Sequence, residues 1–120
     1  MNLTRINKYK AIFPHKEWDA PTYQIAENSK SLDYRFRGWS LATATEEYED
    51  EEDFIEVWLS QLGNFVVQMS SKSYDSGWHD VTTVCMTIDE LKSLLGHSIA
   101  AKQIYKKLEI NAYHDIETGE

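Results

Sequence analysis

The sequence contains very little cysteine and no long apolar run. Cys85 is the single cysteine among 120 residues, so no disulfide can form within the chain, and a reducing compartment is the simpler interpretation. No eighteen apolar residues follow one another, and the N-terminal MNLTRINKYKAIF lacks the apolar core of a signal peptide. These absences predict a soluble cytoplasmic protein.

Basic residues are scarce in the middle of the chain. Residues 41–90 hold twelve Asp and Glu but only one cation, Lys72, whereas residues 1–40 carry a net charge of +3 and residues 91–120 are balanced. A segment of this charge repels phosphate, because duplexes and membrane surfaces are bound through clusters of Lys and Arg. The charge distribution therefore argues against direct binding to nucleic acid or to a membrane.

The signatures of common enzymes are also missing. The chain has no P-loop, no dinucleotide-binding glycine pattern, no nucleophile elbow and no H-E-x-x-H. Adjacent residues such as His79 and Asp80 point to opposite faces of a strand, so the pair does not form a dyad by its spacing. Cys85 lies in an apolar strand and is expected to be buried and inert. We expect no enzyme activity, no cofactor and no metal, and keep a small enzyme using His79 and Asp80 as an alternative.

The residues that are present predict one α+β domain spanning residues 1–120. Hydrophobic residues make up 42% of the chain, enough for a folded core at this length. The segment MTIDELKSLLG has the capping-box pair Thr87 and Glu90 and a terminating Gly96, which predicts a helix at about 87–95. Ser98 is a candidate cap for a second helix. Alternating patterns predict strands near 34–45, 54–62, 64–71 and 78–86.

This order of elements predicts an antiparallel β-meander of about four strands with the C-terminal helices packed on one face. We expect a kink or bulge at Gly38 and a hairpin turn at Gly63–Asn64. A helix ending at Gly63 is the alternative for residues 54–63. Residues 1–33 are compatible with a short helix or an extra edge strand, and residues 111–120 look like a weakly ordered tail.

The most unusual segment is TEEYEDEEDFIE, with eight carboxylates in residues 46–56. A helix here would place many acidic pairs three or four positions apart, at a cost of roughly 2 to 4 kcal/mol. The segment is therefore expected to be an exposed loop between the first two strands. Turns alternate between the ends of a meander, so this loop should lie at the same end as residues 73–77.

Three interpretations of the acidic segment are open: a solvated loop, a metal-binding loop, or a surface for a cationic protein. It has neither the ligand spacing nor the glycine of an EF-hand loop, so the metal interpretation has weak support. Carboxylates beside exposed aromatic rings suit a protein partner, since rings provide anchoring and charges provide steering. The candidate partner-binding residues are Glu46, Glu47, Tyr48, Glu49, Asp50, Glu51, Glu52, Asp53, Tyr74, Asp75 and Trp78.

With its EEYEDEEDFIE run and its aromatic SYDSGWHD segment, the chain resembles the small acidic immunity proteins with which bacteria neutralise their own toxins, including those of contact-dependent inhibition systems. The resemblance is one of type and matches no motif, so it transfers no residue roles. It implies inhibition of a cognate toxin, often a basic nuclease, in a tight one-to-one complex. An acidic nucleic-acid mimic, or a phage-encoded inhibitor of a DNA-binding protein, is the alternative, because both inhibit basic proteins.

Overall fold

The computed structural model describes residues 1–73 and 77–113 and has three helices and five strands within them. In chain order the elements are α1 (Leu3–Ile12), β1 (Thr22–Ala26), β2 (Tyr34–Glu47), β3 (Glu51–Ser60), β4 (Phe65–Ser73), β5 (Gly77–Cys85), α2 (Ile88–Leu95) and α3 (Ile99–Lys107).

The five strands form one curled antiparallel sheet in the order β1-β2-β3-β4-β5. The predicted α+β meander is confirmed, with five strands in place of about four. The predicted hairpin also forms: Leu59 pairs with Phe65 around a turn in which Gly63 has a φ of 88°. The helical alternative for residues 54–63 is therefore wrong, since pairing along both edges of β3 outweighs its partly helical spacing.

One face of the sheet, here called the helix face, carries the main core. Alternate residues of β3 and β4, including Ile55, Val57, Leu59, Phe65 and Val67, point to this face and are almost fully buried. Tyr9 of α1 packs edge-on against the Phe65 ring at 6.1 Å, and its hydroxyl donates to the Leu108 carbonyl at 3.1 Å. The N-terminal and C-terminal helices are thus joined across the core.

The opposite face, here called the outer face, is partly covered by the chain's own β1–β2 hairpin. Ala26, Trp58 and Val66 form a second buried cluster there, with the Phe36 ring packed against Trp58 at 5.7 Å. β2 can lie this close to β3 because Gly38 has no side chain. A Cβ on Gly38 would lie 2.2 Å from the Leu59 carbonyl oxygen of β3. The register shift expected at Gly38 instead lies between Ser40 and Ala42, so that prediction is wrong by a few residues.

The connection after β1 closes the curled sheet onto β5. The Thr82 hydroxyl donates to the Glu27 carbonyl at 2.7 Å, and the Ser29 N–H donates to the Asp80 carbonyl at the same distance. The bond from Ser29 satisfies the Asp80 carbonyl on the free edge of β5, and the Asp80 N–H in turn donates to the Ser29 hydroxyl at 3.1 Å, so this part of the edge is closed to another strand.

The N-terminal region contains both elements that the sequence left as alternatives. α1 begins at a cap in which the Asn2 side chain accepts from the Arg5 N–H at 3.0 Å. It buries only Ile6 and Tyr9, so its apolar stripe is too narrow to be recognised by periodicity. Both C-terminal helices are confirmed: Thr87 caps α2 and Ser98 caps α3 through their hydroxyls.

Candidate functional site

The acidic segment is the distal end of the β2–β3 hairpin and not the irregular loop that we expected. Residues 46–53, here called the acidic hairpin, continue the strand pairing with Glu46 opposite Asp53 and Glu47 opposite Glu52. The Tyr48 N–H donates to the Glu51 carbonyl at 2.7 Å, which leaves only Glu49 and Asp50 in the turn. Extended pairing brings far fewer acidic side chains together than a helix does, so the sheet tolerates a charge density that a helix would not.

The strand alternation divides the carboxylates of the acidic hairpin between the two faces of the sheet. Glu46 and Asp53 lie on the helix face, whereas Glu47 and Glu52 lie on the outer face. Glu49 and Asp50 are exposed at the turn. The acidic hairpin is therefore not a single flat surface. Its exposed turn carries two carboxylates, and a further acidic pair lies on each face of the sheet.

Glu46 has a structural partner within the protein. Its carboxylate accepts a hydrogen bond from the Ala100 N–H at 2.9 Å, at the first turn of α3, and a second from the Tyr48 hydroxyl. α3 has no acidic residue in its own first turn, so a carboxylate from β2 complements the positive end of this helix. This residue anchors α3, and it is a weaker candidate for partner binding than its neighbours.

These hydrogen bonds shift the pKa values of both side chains. Donation from the Tyr48 hydroxyl, followed by the Ala100 N–H, lowers the pKa of Glu46 below its ordinary value. The same hydrogen bond to Glu46, with the surrounding negative charge, raises the pKa of Tyr48 to about 12. Tyr48 therefore remains a neutral hydrogen-bond donor to Glu46 further into the alkaline range than an ordinary tyrosine, and 48% of its surface is exposed.

The β4–β5 tip lies beside the acidic hairpin, as the meander topology predicts. Glu51 pairs with Ser73, and Ser73 pairs with Gly77, so both tips are at the same end of the sheet. On the outer face Lys72 stands between Glu52 and Trp78, with its ammonium group 5.7 Å from the Trp78 ring centre. The Trp78 ring is 47% exposed and is available as an aromatic anchor. The other two candidates from this tip, Tyr74 and Asp75, lie outside the described residues.

Two further carboxylates of the outer face are hydrogen-bonded within the sheet. Glu56 accepts from the Ser40 hydroxyl at 2.9 Å, and Asp80 accepts from the Ser70 hydroxyl. Both belong to the same face as Glu47 and Glu52, and they extend its negative potential away from the tip.

The residues of the enzyme alternative are separated by the sheet. His79 pairs with Ser71 on the helix face, and Asp80 pairs with Ser70 on the outer face. Cys85 is 2% exposed, and burial raises the pKa of its thiol, as expected for a small buried hydrophobe. Within residues 1–73 and 77–113, no group of three His, Cys, Asp or Glu side chains is arranged to hold a metal ion.

A separate groove of about 800 Å³ runs along α3, between Ile99 and the segment that ends at Tyr113. Ile99 is 65% exposed and Tyr113 is 82% exposed. Lys102, Lys106 and Glu109 also line the groove, so its lining carries two basic side chains and one acidic side chain.

No protein-family model, curated protein or solved structure matches this chain. Among the described residues, none of the helices has the length and apolar character needed to cross a bilayer.

Proposed function

We propose that this protein binds and inhibits a basic protein, most simply a toxin domain such as a nuclease, through its acidic hairpin. The class of function proposed, inhibition of a toxin, comes from the resemblance to acidic immunity proteins. The observation that carries the proposal is the display of Glu47, Glu49, Asp50 and Glu51 as exposed carboxylates on an ordered hairpin. A hairpin held by strand pairing presents its charges at fixed positions, which favours fast and oriented association with a cationic surface.

The surroundings of the hairpin support a macromolecular partner over simple solvation. Lys72 is the only cation in residues 41–90 and lies opposite Glu52, so among the described strand pairs no basic side chain lies opposite the turn carboxylates. The exposed Trp78 ring, next to Lys72 at the adjoining tip, provides the kind of aromatic anchor that often contributes most to binding energy. Trp78 and Glu52 share the outer face, so one partner surface can contact both.

The test compares two variants that remove the same number of charges. The hairpin variant carries Glu47→Gln, Glu49→Gln, Asp50→Asn and Glu51→Gln, and it leaves Glu46 in place because that side chain holds α3. The control variant neutralises exposed carboxylates elsewhere in the chain: Glu17→Gln, Asp19→Asn, Glu27→Gln and Glu109→Gln.

Each form is immobilised, exposed at low salt to a lysate of the native host, and the captured proteins are identified. The association rate of the purified partner is then measured against ionic strength. We expect the hairpin variant to associate about tenfold or more slowly at low salt, with a flatter salt dependence, while the control variant behaves like the wild type.

The activity of the captured protein decides its class. A toxin whose activity is abolished by one equivalent of this protein supports the proposed role, whereas a DNA-binding protein released from DNA would favour the nucleic-acid mimic. Equal association rates for the hairpin and control variants would rule out the acidic hairpin as the contact surface.

A further inference from the structure

The two edge strands of the sheet, β1 and β5, differ in whether their outward backbone groups are hydrogen-bonded. The edge of β5 is closed in part by hydrogen bonds from the 27–29 segment to Asp80 and Thr82. β1 occupies the other edge, and among the described strands it pairs with β2 alone. Natural sheets usually protect such an edge with charges, proline, bulges or a covering segment. The five residues of β1, TYQIA, contain neither a charge nor a proline, and Pro21 and Glu27 flank them, so the unprotected edge is limited to residues 22–26.

The direction of the free backbone groups on β1 follows from the neighbouring ladder. The Arg37 carbonyl accepts from the Gln61 N–H at 2.8 Å, so the backbone of Arg37 faces β3 and not β1. Tyr23, its partner in the β1–β2 register, therefore directs its own N–H and C=O away from β2. Ile25 lies two residues further along β1, so its N–H and C=O also point away from β2. The open edge thus presents two donors and two acceptors, from Tyr23 and Ile25.

The side chains of the same two residues are exposed. Tyr23 is 51% exposed and Ile25 is 61% exposed, and both point to the same face of β1. Arg37 lies beside the Tyr23 ring, with its guanidinium carbon 5.8 Å from the ring centre. An edge with free backbone groups and adjacent apolar side chains is suited to pairing with another extended strand.

We propose that this edge pairs antiparallel with β1 of a second copy of the chain, with Gln24 opposite Gln24 at the twofold axis. This register places Tyr23 of each copy opposite Ile25 of the other. The outward backbone groups then form four hydrogen bonds, and two aromatic–aliphatic pairs form on one face, a favourable cross-strand combination. Residues 22–26 are self-complementary in this register, as a symmetric interface requires.

The charge distribution permits this contact despite the net charge of −8. Glu47 of the acidic hairpin lies nine positions along β2 from Gly38, which is opposite Thr22. At about 3.3 Å per residue this is a path of roughly 30 Å along the strand, well beyond the Debye length of about 8 Å in physiological salt. The acidic hairpins of the two copies therefore repel each other only weakly, and both remain accessible.

The first test measures molar mass by sedimentation at protein concentrations up to about 1 mM. The paired edge is short, so we expect a weak dimer whose average mass rises with concentration. Ile25→Glu should abolish this rise, and its partner Arg35 across the β1–β2 ladder accommodates the new carboxylate. Leu32→Glu makes the same change at a side chain that is 89% exposed in the following loop, and it should leave the dimer intact.

The second test fixes the register. In an antiparallel sheet the Cα atoms of directly opposed residues lie about 4.5 to 5.5 Å apart, which a disulfide can bridge. Gln24→Cys should therefore form a covalent dimer on mild oxidation, whereas Thr22→Cys, four residues out of register with its own copy, should not. Cys85 is buried and does not compete.

Several results would overturn the proposal. A wild type that remains monomeric at every concentration would leave the edge available to a strand from a different protein. A dimer that survives Ile25→Glu, or equal cross-linking of Gln24→Cys and Thr22→Cys, would place the contact elsewhere. Circular dichroism of each variant ensures that the loss of a dimer is not a loss of folding.

Discussion

The acidic hairpin should destabilise the fold that displays it, and a single substitution measures the effect. The β2–β3 register places Glu47 directly opposite Glu52 and Glu46 opposite Asp53. Like charges at directly opposed positions of a sheet destabilise it, whereas opposite charges stabilise it. Glu47→Lys converts one repulsive pair into an attractive pair. Among the described strands Glu47 pairs with Glu52 alone, because β2 continues beyond β1 at this point.

The size of the effect follows from cross-strand pair energies. Removing a repulsion and adding an attraction, each worth about 0.2 to 1 kcal/mol, gives a gain of roughly 0.4 to 2 kcal/mol in the free energy of unfolding. For a chain of 120 residues the entropy of unfolding is about 0.25 kcal/mol per kelvin, so Tm should rise by about 2 to 8 °C. Glu47 is exposed, so the increase should be largest at low ionic strength and should shrink as salt is added.

The matched control is Glu49→Lys, which makes the same change in net charge at the turn, outside the strand pairing. Thermal unfolding of the wild type and both variants is followed by circular dichroism at low and high salt. The difference between the variants isolates the cross-strand pair from the general effect of a lower net charge. If Glu47→Lys gained no more stability than Glu49→Lys at low salt, the inferred repulsion between Glu47 and Glu52 would be refuted.

Two further predictions concern the hydrogen bonds that hold the helices. Tyr9→Phe should lower the free energy of unfolding in urea by about 1 to 3 kcal/mol, because the buried Leu108 carbonyl loses its donor, while Tyr113→Phe should have no effect. Burial raises the pKa of Tyr9 from 10.0 to about 12, so the stability that its neutral form provides is present below pH 10 and lost as the pH rises through 12. Tyr9→Phe should lack this alkaline loss, and an unchanged alkaline profile would contradict the assignment. The pKa of Glu46 is lowered from 4.5, so its contribution is present above that pH and lost as the pH falls through the folded value. Glu46→Gln should therefore show a smaller decrease in stability on acidification in urea titrations, and a decrease equal to that of the wild type would show that the ionised form does not support α3.

The predictions made from sequence succeeded where local pattern and packing agree. Thr87, Glu90 and Gly96 define the ends of α2 through hydrogen bonds and a backbone angle that depend on nearby residues alone. Alternation through β3 and β4, with Gly63 at the turn, gave the central hairpin and the side chains of the helix face. The position of both strand tips at one end followed from the order of an antiparallel meander.

The acidic hairpin shows why local reasoning was insufficient elsewhere. Charge repulsion excluded a helix and suggested a loop, but backbone pairing with β4 extends β3 to Glu51, whose partner Ser73 is 22 positions away in the sequence. Glu46 and Ala100 are 54 positions apart, so the anchoring of α3 by a strand carboxylate has no sequence signature beyond the lack of an acidic residue in the first turn of that helix.

The sequence alone determined the α+β class, the two ends of α2 and the start of α3, because each depends on spacing within a short segment, and the order of the strands in a meander then placed the negative charge at one end. The tertiary structure decided which carboxylates are exposed and which is bonded within the protein. It also decided how the β1–β2 hairpin folds over Trp58 and that β1 is left as an open edge. These features arise from pairing between distant segments, where the energy of a contact depends on a partner that the local sequence does not specify.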